Sequence, residues 1–320
     1  MNPHRYSFRA MGSPCELRLY SARREYADAI AEETRAEIGR LEQKYSRYLA
    51  DSLTTRINRS AGRSEGVEVD EETAALLDYA AVAFRESEGL FDITSGILRG
   101  AWDFKSGRVP EQSELDALRR RIGWDRVCWE RPRIALPEPG MEIDFGGYVK
   151  EYTADRVAEL LRARGMRHGL VDLGGDLAVV GPHPDGSPWR VGIRHPRRPE
   201  DALGALPLSH GAVASSGDYE RFMIVDGVRY GHILNPKTGW PVESFAGVTV
   251  VADHCLVAGT ASTVAMLKGE DAGAAWLDAL GLPNLRMDRA GRVDGALAQD
   301  PRPRQRVAAS GCLVAGSSRS

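Results

Sequence analysis

The chain has 320 residues, 42% apolar and 27% charged, so it is long enough and apolar enough to bury a substantial core. Its 42 basic and 45 acidic residues are interspersed, with a formal net charge of -3, so no global field favours nucleic acid. Because no apolar run reaches membrane-spanning length and the N-terminus lacks a signal-peptide pattern, we expect a cytoplasmic protein without a membrane anchor.

The first half of the chain is typical of a strand followed by helices. Residues 14–20 alternate apolar and polar side chains, which predicts a half-buried strand, and residues 25–45 carry apolar side chains at roughly helical spacing. Residues 71–87 are rich in helix formers and begin with acids, which favour a helix N-terminus. The charged stretch 105–140 is predicted to be peripheral, with one short helix from Glu111 to Arg121.

From residue 141 onward, short apolar segments alternate with glycines, which predicts strands. Helices are predicted from about Glu151 to Arg164 and from about Thr260 to Lys268. Because strands and helices are mixed rather than strictly alternating, we predict an α+β fold. Residues 1–298 should form one unit, of one or two intertwined subdomains, and 299–320 a flexible C-terminal tail. The predicted strands are Met141 to Phe145, Gly169 to Leu173, Leu177 to Val180, Trp189 to Arg194, Phe222 to Val225 and Val248 to Ala252.

One segment runs from a strand-like stretch through two glycines into a helix, at Asp144-Phe-Gly-Gly-Tyr-Val-Lys-Glu-Tyr-Thr-Ala-Asp155. Glycines let a backbone approach a ligand closely, and a helix N-terminus offers N–H groups to an anion such as a diphosphate. Lys150 adds a positive charge near the helix start. These residues leave two interpretations open, a phosphate site or an ordinary strand-to-helix turn with a solvated lysine.

Four further segments carry glycines, hydroxyls or a histidine. The pair of glycines in Val171 to Gly181 favours a tight hairpin, with Asp176 after the turn, over a ligand loop. The small-residue turn in Val213 to Arg221 suits either a ligand or a bend. His232 precedes a Pro and Gly turn and can act as a general base, although a lone histidine is more often structural. The hydroxyls in Ala258 to Leu267 can reach an ion or cap a helix.

Together and in this order, these segments resemble the FAD:protein FMN transferase family, also called the ApbE family, from about residue 8 to about residue 270. Seven segments in family order are hard to attribute to chance. They are Ala10-Met-Gly-Ser13; Tyr45-Ser-Arg-Tyr48 with Ser52 and Asn58; Phe91-Asp-Ile-Thr-Ser-Gly96 with Trp102 and Phe104; Asp144 to Asp155; Asp172 to Gly181; Ala214-Ser-Ser-Gly-Asp-Tyr-Glu-Arg221; and His232 to Gly239.

The resemblance implies largely antiparallel mixed sheets, flanking helices and a ligand cleft between subdomains. It implies Mg²⁺-dependent transfer of FMN from FAD to a Thr or Ser hydroxyl of a partner flavoprotein, with AMP leaving. His232 would assist deprotonation of that hydroxyl, and Lys150 would lie near the phosphates. The FAD contacts implied are Met11, Tyr48, Asp92, Thr94, Lys150, Asp155, Ser216, Gly217 and His232. The Mg²⁺ ligands implied are the backbone carbonyl of Val149 and the hydroxyl of Thr263.

The chain departs from the family pattern at the metal site. Where the family usually has Ala-Asp-Ala, this chain has Ala258-Gly259-Thr260, so the carboxylate that would bind a hard cation is missing. Glu151 replaces the usual glycine after the lysine, and its charge should repel an anion unless the side chain points away. Three functions therefore stay open: the transferase, a FAD-binding carrier or assembly protein without transfer activity, and a FAD pyrophosphatase.

Overall fold

The computed structural model describes residues 1–298 and, as a backbone strand alone, residues 313–315. The rest of the tail predicted for 299–320 lies outside the described residues. The α-helices are α1 (Arg24–Tyr45), α2 (Leu53–Arg59), α3 (Glu71–Glu86), α4 (Gln112–Arg119), α5 (Val149–Ala163), α6 (Cys255–Lys268) and α7 (Glu270–Leu280). The strands are β1 (Asn2–Ala10), β2 (Ser13–Ser21), β3 (Val67–Glu68), β4 (Cys128–Glu130), β5 (Arg133–Ala135), β6 (Gly169–Leu173), β7 (Asp176–Gly181), β8 (Trp189–Arg194), β9 (Ala202–Leu208), β10 (Ala212–Gly217), β11 (Phe222–Val225), β12 (Val228–Gly231), β13 (Gly247–Ala252), β14 (Asn284–Met287), β15 (Val293–Asp294) and β16 (Leu313–Ala315).

Eight strands form the main sheet in the order β1-β2-β6-β7-β10-β13-β14-β15, and all neighbouring pairs are antiparallel. In the smaller sheets, β8 pairs with β9 antiparallel and with β16 parallel, β5 lies between β3 and β4, and β11 pairs with β12. The predicted α+β class with largely antiparallel sheets is confirmed.

Both faces of the centre of the main sheet are covered. Helices α1, α5 and α6 cover one face, where Leu17, Val157 and Val250 belong to one buried core. The opposite face packs against β8 and β9 through a second core that contains Leu177 and Val191. A fully buried side chain of this size contributes about 1.5–3 kcal/mol relative to an exposed one. The double covering explains why β7 is buried along its whole length, whereas β2, nearer the sheet edge, alternates.

A separate core beneath α2 and α3 fixes the beginning of α5. Tyr45 at the end of α1 packs against Phe145, with ring centroids 4.8 Å apart. Tyr148 is fully buried, and its hydroxyl donates a hydrogen bond to the carbonyl of Leu76 at 3.1 Å. The N-terminus of α5 is therefore held by aromatic packing and not by its own sequence alone. None of the helices in the described part of the chain is long and apolar enough to cross a membrane.

The strand predicted from Met141 to Phe145 is wrong. Alternate side chains of this segment, Met141, Ile143 and Phe145, are fully buried, as the pattern indicated. However, the backbone of Ile143 makes its hydrogen bonds with a side chain, whereas the backbone of a strand makes them with a neighbouring strand. Its N–H donates to Oδ1 of Asn58 at 2.8 Å, and its carbonyl accepts from Nδ2 at 3.0 Å. The side-chain amide of Asn58 thus replaces the inter-strand backbone hydrogen bonds that the alternating pattern predicts.

Candidate functional site

A cleft of about 840 Å³ lies beside the main sheet. It is lined by the β1–β2 and β6–β7 turns, the end of β10, the beginning of α5 and part of α6. This volume is typical of sites that bind a small molecule or cofactor. The predicted site residues that line the cleft are Met11, Tyr48, Asp92, Val149, Lys150, Ser216, Gly217, His232 and Thr263.

Two tight hairpins form the floor of the cleft. Met11 and Gly12 connect β1 to β2 with φ of 51° and 72°, and Gly174 and Gly175 connect β6 to β7 with φ of 67° and 92°. Two positive φ angles in succession characterise a type I′ turn. The tips lie side by side because β2 pairs with β6, and a Cβ at Gly174 would be only 2.7 Å from Cβ of Ser13. The hairpin predicted at Gly174 and Gly175 is confirmed.

The beginning of α5 borders the cleft without a side-chain cap. Its N-cap residue, Tyr148, makes no side-chain capping hydrogen bond, so no cap covers the positive end of the helix. Val149 and Lys150 of that turn line the cleft. A Cβ at the preceding Gly147 would meet no atom within 4 Å, so the backbone there borders open space. This geometry favours the phosphate interpretation of the segment over the ordinary turn.

Lys150 forms a buried ion pair with Asp176, the first residue of β7. Its Nζ lies 2.8 Å from Oδ2 of Asp176, a residue only 4% exposed. Burial lowers the pKa of Lys150, but the carboxylates of Asp176 and Glu151 outweigh burial and raise its pKa above the ordinary value. Burial raises the pKa of Asp176, whereas the ammonium opposes that shift, and the short contact favours the charged pair. Burial and then the charge of Asp176 raise the pKa of Glu151.

The hydroxyl of Thr263, a predicted metal ligand, is held in place from β10. It lies 2.9 Å from Oγ of Ser216, which is also 2.8 Å from Oγ of Ser262. The backbone carbonyl of Val149, the other predicted ligand, accepts a hydrogen bond from the hydroxyl of Thr153 at 2.7 Å. The carbonyl therefore already has a donor, whereas Thr263 has a positioned oxygen at the cleft.

His232 is neutral in this environment. Burial, together with the positive charges of Arg99 and Arg221, lowers the pKa of His232 to about 4. Its Nδ1 is buried and has no hydrogen-bond partner among the described residues. A neutral imidazole has a nitrogen lone pair free to accept a proton as the bond to phosphorus forms, as the predicted role requires. Arg99 and Arg221 also line the cleft, and the sequence alone did not indicate a role for them.

Arg47 is another residue that we did not identify from the sequence, although it lies beside Tyr48 in a matching segment. Its Nη1 donates to the carbonyl of Gly96 at 2.6 Å and to Asp144 at 3.2 Å, and its Nη2 donates to Glu142 at 2.8 Å. Arg47 thus connects Gly96 to the segment that contains Glu142 and Asp144. Tyr48 itself is 78% exposed at the cleft, with the Arg47 guanidinium 6.0 Å from its ring centroid.

Three predicted FAD contacts have other partners. Asp92 borders the cleft, but its carboxylate accepts from the N–H and hydroxyl of Thr94, at 2.7 and 2.6 Å, and from the N–H of Trp124 at 3.1 Å. Thr94 does not line the cleft. Neither does Asp155, whose carboxylate accepts from two backbone N–H groups at the start of α6, at 2.7 and 2.9 Å. Thr94 and Asp155 therefore lie outside the cleft lining in this structure, and their predicted contacts with FAD stay predictions.

The chain is similar to proteins of known family over most of its length. The model of the ApbE family matches residues 11–285. A FAD:protein FMN transferase of Vibrio cholerae serotype O1 is 32% identical over 247 residues, which cover 75% of this chain and 73% of that protein. A FAD:protein FMN transferase of Klebsiella pneumoniae is 31% identical over 286 residues, which cover 85% of this chain and 84% of that protein.

Solved structures agree with these relatives. The ApbE protein of Thermotoga maritima has a TM-score of 0.85 and 30% identity, and the match covers 92% of this chain and 97% of that one. The flavinyl transferase ApbE of Pseudomonas stutzeri has a TM-score of 0.82 and 28% identity, over 93% of this chain and 95% of that one. The resemblance inferred from seven segments is confirmed, and this chain belongs to the ApbE family.

Proposed function

We propose that this chain is a FAD:protein FMN transferase. The observation that carries the proposal is the convergence at one cleft of an uncapped helix N-terminus, the charged Lys150 and the neutral His232. Relatives that match three quarters or more of the chain bear the name of this activity. A Ser or Thr hydroxyl of an acceptor protein would attack the FMN phosphorus of FAD. The bond from that phosphorus to the bridging oxygen breaks, and AMP leaves with that oxygen.

The residues of the cleft supply what this reaction needs. The N–H groups at the start of α5 and the ammonium of Lys150 bind and neutralise the diphosphate of FAD. His232 accepts the proton of the acceptor hydroxyl as the new phosphoester forms. Burial keeps His232 unprotonated, and the positive charges of Arg99 and Arg221 contribute to this and add cationic groups to the cleft.

The family also implies Mg²⁺, and the residues present fit it. One carboxylate oxygen of Glu151, Oε2, is buried without a hydrogen-bond partner among the described residues. The hydroxyl of Thr263 lines the same cleft. The described residues contain no group of three or more His, Cys, Asp or Glu side chains arranged for a metal. Mg²⁺ is commonly held by one or two carboxylates together with substrate phosphates, and when bound it would neutralise charge on the diphosphate.

The test of the proposed function is incubation of the purified chain with FAD, Mg²⁺ and a flavin acceptor protein, followed by mass spectrometry of the acceptor. A mass gain equal to one FMN phosphoester, with an equimolar amount of AMP, supports the transferase. Retained FAD without AMP supports the carrier. FMN and AMP without any gain support the pyrophosphatase. The identity of the acceptor and the cytoplasmic location stay predictions.

Replacing Tyr48 by Ala should weaken FAD binding about tenfold, because an exposed ring at the cleft can stack on a planar ring of the ligand. FAD titration followed by flavin fluorescence measures the effect. Tyr48→Phe keeps the ring and should bind FAD like the wild type. Equal affinity in the Ala variant would remove Tyr48 from the contact surface.

Replacing Met11 by Asn should separate stability from binding. A non-glycine residue with φ of 51° is strained by about 1–2 kcal/mol, and Asn tolerates this conformation better. We expect Met11→Asn to raise the free energy of unfolding by about 1 kcal/mol while it weakens FAD binding. Denaturant titration and FAD titration give the two values. Met11→Leu, which keeps an apolar side chain, should retain FAD affinity; a loss in Leu but not in Asn would contradict the assignment.

A further inference from the structure

Two departures from the family pattern, far apart in the sequence, meet in the structure. Gly259 lies on α6 and Glu151 lies in the first turn of α5. A Cβ at Gly259 would be 2.5 Å from Cγ of Glu151 and 2.8 Å from its Oε1. The side chain of Glu151 therefore occupies the space into which any side chain at residue 259 would extend. The glycine is needed because the glutamate is there.

One oxygen of the Glu151 carboxylate lacks a hydrogen-bond donor in the described part of the chain. Its Oε2 is buried and accepts no hydrogen bond from the described residues. Lys150, the residue before it in the chain, is already paired with Asp176 at 2.8 Å. A buried carboxylate oxygen without a donor is costly, so a site of this kind favours a cation from outside the chain.

The charge of the residues that line the cleft also favours a bound cation. Six carboxylates and four cationic side chains line it. The diphosphate of FAD would add about two further negative charges, so FAD binding without a cation would add to the formal negative excess of the lining. The acid at Glu151 beside a diphosphate site is compatible with FAD if a divalent cation lies with them.

A second oxygen donor shares this region of the cleft. Thr263 follows Gly259 by four residues, which places both on the same face of α6. Its hydroxyl is fixed at 2.9 Å from Oγ of Ser216 and lines the cleft together with Glu151. Carboxylate and hydroxyl oxygens are ligands that suit Mg²⁺.

We propose that Glu151 is the carboxylate ligand for Mg²⁺ in this chain, projecting from α5 into the space that Gly259 leaves open on α6. The metal-binding carboxylate has moved from one helix to the facing one. The inference rests on the proposed function for its use of Mg²⁺. The absence of a carboxylate at residue 259 is then compensated.

The test uses Mn²⁺ as a probe, because Mn²⁺ binds the same kinds of oxygen ligand and is counted by electron paramagnetic resonance. The full chain is titrated with Mn²⁺, with and without FAD. Glu151→Gln keeps the size of the side chain and removes its charge, and we expect Mn²⁺ affinity to fall at least about tenfold. Glu159→Gln makes the same change at an exposed position of the same helix and should bind Mn²⁺ like the wild type.

A second variant tests the exchange itself. Glu151→Gly combined with Gly259→Asp moves the carboxylate back to α6, and we expect it to recover Mn²⁺ affinity to within about threefold of the wild type. Gly259→Asp alone should not improve binding, because its Cβ would collide with Glu151. Circular dichroism and the Mn²⁺-induced rise in Tm show that each variant is folded and report binding independently of transfer.

Unchanged Mn²⁺ affinity and an unchanged Tm rise in folded Glu151→Gln would overturn the proposal. That result in an enzyme that still transfers FMN would leave the proposed function intact. Conversely, loss of Mn²⁺ binding in Glu151→Gln, from a wild-type chain that transfers no FMN, would support the metal ligand and refute the transferase.

Discussion

Replacing His232 by Ala should lower the rate of FMN transfer by about 10²–10⁴-fold while FAD still binds. The imidazole lines the cleft, is neutral, and has a buried Nδ1 without a hydrogen-bond partner among the described residues. Its removal takes away the acceptor for the hydroxyl proton but leaves the helix N-terminus and Lys150 in place. Quench-flow or timed mass spectrometry of the acceptor measures the rate, and a FAD titration provides the control. A variant that transfers FMN at the wild-type rate would show that another group takes the proton.

The depressed pKa of His232 predicts how this contribution depends on pH. Its pKa is about 4 in the folded chain, against 6.5 ordinarily. The ratio of wild-type to His232→Ala rates should therefore stay constant between about pH 5 and pH 8. The stabilisation from keeping His232 neutral is fully present above pH 6.5 and is lost as the pH falls towards 4, because the unfolded chain takes up a proton first. A rate ratio that falls already near pH 6.5 would contradict the neutral imidazole.

Replacing Lys150 by Met should destabilise the fold as well as slow the reaction. Asp176 is 4% exposed and would lose the ammonium that lies 2.8 Å away. Removing one partner of a buried ion pair lowers the free energy of unfolding by about 3–5 kcal/mol. We expect the free energy of unfolding to fall by an amount of that order and the transfer rate to fall by about 10²–10³-fold, because a positive charge near the phosphates is lost. Denaturant titration and the transfer assay separate the two effects.

The double variant Lys150→Met with Asp176→Asn removes both charges and distinguishes the two roles of the lysine. Most of the stability should return, since no uncompensated charge stays buried. The transfer rate should stay low, since neither replacement supplies a cation to the phosphates. If the double variant regained transfer activity, the lysine would serve only to neutralise Asp176.

Local sequence patterns predicted the elements whose stability is local. Helices α1, α3, α4 and α5 begin and end within about two residues of their predicted bounds. The prediction failed where a distant residue decides the outcome. Helix α6 begins at Cys255, five residues before the predicted Thr260, because Asp155 of α5 accepts hydrogen bonds from its first N–H groups. The strand predicted around residue 143 is absent for the same kind of reason, because the distant side chain of Asn58 takes up the backbone hydrogen bonds there.

The candidate site shows the same division. The matching segments predicted that Lys150 and His232 share one cleft, and both line it. This could be predicted because each residue lies beside a turn or helix start that its own segment encodes. They could not show that Asp155 supports α6 from outside, nor that Glu151 fills the space over Gly259. Those contacts depend on how α5 lies against α6. A departure from a family motif could therefore be interpreted only when the facing position was known.

The paired hairpins of the cleft floor have a consequence for how the ligand arrives. Each turn has two residues, the shortest connection between antiparallel strands, and each is joined at once to paired residues, Ala10 with Ser13 and Leu173 with Asp176. Such turns have no spare length with which to open or close. The floor is therefore preorganised, and binding does not require it to lose conformational entropy. Association should follow a single fast step at this surface, with any slow rearrangement confined to the opposite rim of the cleft.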